Sequence, residues 1–110
     1  MGADLYQKGK AYPDGYFRDS YNDYNVLWQM DLSWWRDITP MLNNHHELTV
    51  KGIKEFKAMV EAREIPAEPK AHDGKPITCA TRDDYVKRRQ ELLDYLNQAI
   101  KEKIPIKCSL

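Results

Sequence analysis

Apolar residues recur at helical spacing in three stretches of the chain. In the first, Tyr24, Leu27 and Trp28 stand at i, i+3 and i+4 with Asp31 at i+7, which predicts a helix from Tyr21 to Asp31 with an inward apolar face. Ser20 offers the N-cap oxygen, and Asp23 puts a carboxylate near the free amides of the first turn. A short further turn is predicted after Ser33, through Trp34-Trp35-Arg36-Asp37, stopping before Thr39-Pro40 because a residue preceding proline avoids the helical region. The second stretch runs from Val50 to Glu64 behind Thr49, with Ile53, Phe56 and Val60 inward and Lys51, Lys54 and Lys57 outward. The third has the clearest signals. Thr81 caps it, Asp83 and Asp84 fill its first turn, Tyr85, Leu92, Leu93, Leu96, Ala99 and Ile100 form its stripe, and Lys101 and Lys103 suit its negative end.

The two ends of the chain read as extended. Ala3 to Tyr6 and Ile104 to Cys108 are short and partly aromatic or β-branched, and they can pair as a minimal two-stranded element, with Pro105 confining its strand to an edge. Pro66, Pro69, Asp73-Gly74 and Pro76 make residues 66–76 an internal linker, long enough to be functional or simply mobile. The expected fold is therefore mainly α: one domain over residues 1–110, three main helices plus a short helical turn, and at most a two-stranded β element joining the chain ends.

Composition sharpens this picture in one respect. The 110 residues carry 17 basic and 17 acidic side chains, and zero net charge argues against nucleic-acid or anionic-membrane binding driven by bulk charge. The balance is uneven along the chain: up to Leu48 there are four Lys or Arg against seven Asp or Glu, and nine of the twelve aromatic residues precede Asp37. The front of the chain is acidic and aromatic; the back is basic and helical. The first ten residues lack the apolar stretch of a signal peptide and no run approaches a membrane span, so the expected location is cytosolic. Cys79 and Cys108 are then expected as free thiols.

Candidate chemistry concentrates in the aromatic front. Gly15 to Asn25 interleaves Tyr16, Phe17, Tyr21 and Tyr24 with Arg18, Asn22 and Asn25, and Trp34, Trp35 and Arg36 follow closely. Such an inventory can hold a nucleotide-like ligand, with Tyr16, Tyr21, Trp34 and Trp35 stacking on its ring, Asn22 reading its edge, and Arg18 and Arg36 pairing with phosphate. The same aromatics also suit a core or a protein interface, so both readings stand. Lys87-Arg88-Arg89 offers further phosphate contacts, or a solvated helix face paired through Asp83 with Lys87 and Asp84 with Arg88. His45, His46, His72, Cys79 and Cys108 lack the spacing of a zinc site, and no cofactor is expected. Cys79, His46, Asp31 and Asp37 could in principle furnish an unrecognised enzyme, but no spacing selects them and glycine-rich phosphate loops are absent.

Four segments, Met1-Gly2-Ala3-Asp4-Leu5-Tyr6, Gly15-Tyr16-Phe17-Arg18-Asp19-Ser20-Tyr21-Asn22, Leu32-Ser33-Trp34-Trp35 and Ile106-Lys107-Cys108-Ser109-Leu110, resemble an uncharacterised family of small proteins found in phage and bacterial genomes. The connection from Gln7 to Asp14 is shorter here than in that family. The resemblance brings no activity with it. It implies a phage-type accessory setting in the host cytoplasm, where small proteins block defence by sequestering a nucleotide signal or covering a defence protein. The expectation is thus a non-enzymatic, homo-oligomeric binding protein whose partner is a small nucleotide-derived ligand or, alternatively, a host defence protein.

Overall fold

The computed structural model describes residues 2–22 and 24–110; Asp23, placed above in a first helical turn, lies outside them. Four strands, β1 (Ala3–Gln7), β2 (Tyr16–Asp19), β3 (Glu47–Leu48) and β4 (Ile106–Ser109), form one antiparallel sheet in the order β2-β1-β4-β3. Helices α1 (Val26–Gln29), α2 (Val50–Glu61) and α3 (Arg82–Glu102) complete it, with a π-helical turn at Trp34–Ile38 and a 3-10 turn at Thr39–Met41. The fold is mixed α/β, which corrects the mainly helical expectation. The paired ends are the middle of a four-stranded sheet, and Pro105 precedes β4 without displacing it to an edge.

Strand periodicity divides the sheet into two faces. Ala3, Leu5 and Gln7 of β1, Phe17 and Asp19 of β2, Leu48 of β3, and Ile106 and Cys108 of β4 are buried. The apolar members of this set share one core with Ile53, Phe56 and Val60 of α2 and with Tyr85, Leu92, Leu96 and Ala99 of α3. The intervening residues of the sheet lie on its open side. Gly2 admits β2 closely: a Cβ there would stand 2.4 Å from the Asp19 carbonyl oxygen, so a side chain would force the strands apart.

The helix caps at Thr49 and Thr81 form as the sequence predicts, and Thr81 and Asp84 close a reciprocal capping box. Ser33 also caps its short turn, accepting from Arg36 N. The first helix differs most. Its start moves from Tyr21 to Val26, because the Asp19 carboxylate accepts from Val26 N at 2.8 Å and Leu27 N at 3.3 Å while Asn25 caps Trp28 N. These acceptors satisfy the helix start locally and leave residues 20–22, 24 and 25 outside the helix.

Residues 69–77 fold back as a hairpin-like strap. Lys70 bridges to Pro76, Ala71 N donates to Lys75 O at 2.8 Å, and Gly74 turns the tip at φ 83°. The Gln29 side chain clamps this strap from α1: its amide N–H donates to Lys70 O at 2.8 Å and its oxygen accepts from Lys70 N at 3.2 Å. A side-chain amide thereby does what a neighbouring strand's peptide group does in a sheet.

Candidate functional site

The open face of the sheet assembles an aromatic surface from residues spread over the front of the chain. Register sets Asp4 opposite Arg18 and Tyr6 opposite Tyr16, with Lys107 on the other flank of Tyr6. Asp4 is the hub. Its Oδ1 accepts the Tyr16 hydroxyl in a short hydrogen bond, and its Oδ2 accepts the Tyr21 hydroxyl at 2.8 Å. Arg18 stands with Nε 3.9 Å from Asp4 Oδ1 and lays its guanidinium 5.3 Å from the centre of the Tyr21 ring. The Tyr16 ring meets Tyr6 at 5.2 Å and Tyr12 at 5.1 Å, so four tyrosines tile one surface. Tyr6, Tyr12 and Tyr21 are 39%, 71% and 47% exposed, which makes this tile accessible to a partner.

The electrostatics follow from the hub. Hydrogen bonding to the Asp4 carboxylate, reinforced by partial burial and its charge, pushes the Tyr16 hydroxyl up to about 12 from an ordinary 10.0 and raises Tyr21 as well. Both phenols are neutral donors at physiological pH and neither is available as a base. What the face offers is ring surface, fixed hydroxyls and the Arg18 guanidinium.

Of the residues singled out in the sequence, the fold brings together Tyr16, Arg18 and Tyr21. Asn22 sits nearby in the turn, its side-chain oxygen accepting from Ser20 Oγ at 2.5 Å and Tyr24 N at 2.8 Å. Trp34 belongs elsewhere. It is 1% exposed, its indole N–H donates to Asp19 Oδ2 at 2.7 Å and its ring packs edge-on against Phe56, so it is core and cannot stack on a ligand. Trp35 is 59% exposed, but among the described residues no ring contact joins it to the tyrosines. Arg36 is tied to its own turn by bonds to the Asp37 carboxylate and to Asp31 O.

The basic run of α3 divides in the same way. Lys87 is exposed. Arg88 braces the edge of β2: one guanidinium nitrogen donates to Arg18 O, another meets Glu91 Oε2 at 2.6 Å, and the plane lies 4.6 Å from the Phe17 ring centre. Its carboxylate partner is Glu91, where sequence spacing offered Asp84. Arg89 donates to Val60 O and Arg63 O, both at 3.1 Å, closing the end of α2. Both arginines thus serve backbone carbonyls, where the sequence suggested phosphate contacts.

Sequence reasoning passed over Asp4, Tyr6, Tyr12 and Lys107. The alternation of buried and outward residues in Ala3-Asp4-Leu5-Tyr6-Gln7 was the available signal, but only strand register reveals what lies beside them. Cys79 is exposed and Cys108 is buried, both as free thiols, and burial pushes the Cys108 thiol up to about 12, which leaves it unreactive. Among the described residues no three His, Cys, Asp or Glu side chains converge as for a metal ion, and no helix is long and apolar enough to cross a membrane. Compared with known proteins, the chain matches no family model, no curated protein and no solved structure.

Proposed function

We propose that this is a non-enzymatic binding protein that works through the open face of its sheet, and that the occupant of that face is a partner protein. The observation that carries the reading is the convergence of Tyr6, Tyr12, Tyr16, Tyr21 and Arg18 on one solvent-facing side of the sheet. Tyrosine and arginine are the residue types that dominate interface hot spots, and the Tyr16 and Tyr21 rings, already fixed through Asp4, lose little freedom on docking. Asp4 is covered by two phenols and faces Arg18, and Glu47 is paired with Lys8, so with Lys107 the face carries three cations against two carboxylates. A partner patch with carboxylates among apolar groups complements it. The resemblance to small phage and bacterial proteins makes a host defence complex the first partner class to test.

A second reading has its own support. The Arg18 guanidinium beside the Tyr21 ring is the pairing that stacks on a base while meeting a phosphate, as sequestration of a nucleotide-derived signal requires. Native mass spectrometry of the protein purified from defence-expressing cells separates the two, reporting retained proteins, bound small molecules and oligomeric state together. For the protein-partner reading, Arg18→Glu and Tyr12→Ala should each weaken a purified partner by about tenfold or more. Unchanged affinity in both variants overturns it. Heat on nucleotide titration that disappears in Arg18→Ala establishes the second reading instead.

A further inference from the structure

A cleft of about 640 Å³ lies between the end of α1 and the strap, walled by Trp28, Gln29, Pro66, Glu68, Lys70 and His72. It shares no residue with the tyrosine face, and its volume falls within the range of small-molecule sites, about 300 to 1,000 Å³. Trp28 is its platform. The rest of α1 is largely buried, but Trp28 stays 40% exposed, and the His72 imidazole lies 4.3 Å from its ring at 36°. That indole thus already meets a planar nitrogen heterocycle, tilted against it, carried on the strap. The strap side of the cleft is preorganised, because the two-point clamp from Gln29 fixes the Lys70 backbone. Glu68 and Lys70 add one acceptor and one donor side chain to the rim.

We infer that this cleft is a second binding site, for a heteroaromatic ring with both donors and acceptors on its edge, the chemistry of a nucleobase, and that the His72 imidazole competes for the same indole face. Stacking on Trp28 supplies the sequence-tolerant attraction that π-faces share, while Lys70 donates to a ring nitrogen or carbonyl and Glu68 accepts from an exocyclic amine. Because the site stands apart from the sheet, it is independent of what occupies the tyrosine face.

The test is a titration of the full chain with adenosine, followed through the indole N–H of Trp28 and the side-chain amide of Gln29 in two-dimensional nitrogen–proton NMR. Saturable shifts with a Kd below about 1 mM are expected. Trp28→Ala and Lys70→Ala should each weaken binding by about tenfold, His72→Ala should tighten it by about threefold or more, and Arg18→Ala should leave it unchanged. Both Trp28 and Lys70 are solvent-facing, and Lys70→Ala carries the test if the tryptophan variant loses its helical circular dichroism. Absence of saturation, shifts that survive Lys70→Ala, or unchanged or weaker binding in His72→Ala overturns the inference.

Discussion

The indole N–H of Trp34 donates to the carboxylate of Asp19 inside the core, 2.7 Å apart across fifteen residues of sequence. Asp19 is 1% exposed and also accepts from Ser20 N, Val26 N and Leu27 N, so one buried side chain ties β2, the start of α1 and the π-helical turn together. Burial pushes its carboxyl above the usual carboxylate range, opposed by the N–H donors and by Arg88.

Removing that acceptor strands several donors at once. Asp19→Ala should cost about 3 kcal/mol, read as a lower urea midpoint with unchanged slope. Trp34→Phe keeps most of the packing against Phe56 but leaves Asp19 one donor short, and should cost less than Asp19→Ala by the same measurement.

This knot also explains what the sequence disclosed and what it hid. Helices α2 and α3 were legible because apolar spacing and a capping threonine agree in each. The π-helical turn was legible through Ser33. Strand β2 was not, since Tyr16-Phe17-Arg18-Asp19 buries its second and fourth residues and the fourth is an aspartate, which hydropathy assigns to solvent. The first helix was overextended because its true N-terminal acceptor sits seven residues upstream. Three candidate site residues, Tyr16, Arg18 and Tyr21, met as a local reading allows; Trp34 and the Arg88 and Arg89 pair were committed by contacts distant in sequence.

The tyrosine face has an alkaline signature. The hydrogen bond from Tyr16 to Asp4 raises the folded phenol above its unfolded value, so its contribution to stability is complete below about pH 10 and is lost as pH rises through about 12. In Asp4→Asn the Tyr16 ionisation should fall toward the ordinary tyrosine value. Phenolate ultraviolet absorbance during an alkaline titration checks this, and an unmoved curve contradicts the hub role of Asp4.

Arg89 and Lys87 should behave oppositely although they are near neighbours on one helix. Arg89→Met takes donors from Val60 O and Arg63 O and should cost about 1–2 kcal/mol. Lys87→Met alters an exposed position and should stay within about 0.5 kcal/mol. Thermal unfolding of the two variants side by side gives the comparison.

The Gln29 clamp predicts a local effect. Gln29→Ala frees both Lys70 backbone groups and should speed amide hydrogen exchange at Lys70 by about fivefold, equivalent to about 1 kcal/mol of local opening. Exchange in the middle of α3 should not follow it.

The placement of β4 between β1 and β3 has a consequence for how the chain is made. Asp4 pairs with Ser109, and β3 has β4 as its partner. During synthesis β1 and β2 can form a hairpin early, but the sheet cannot be assembled until residues 106–109 have emerged from the ribosome. Until then β1 and β3 lack the strand that joins them, so the sheet closes only after α2 and α3, the helices that share its core, have already been made.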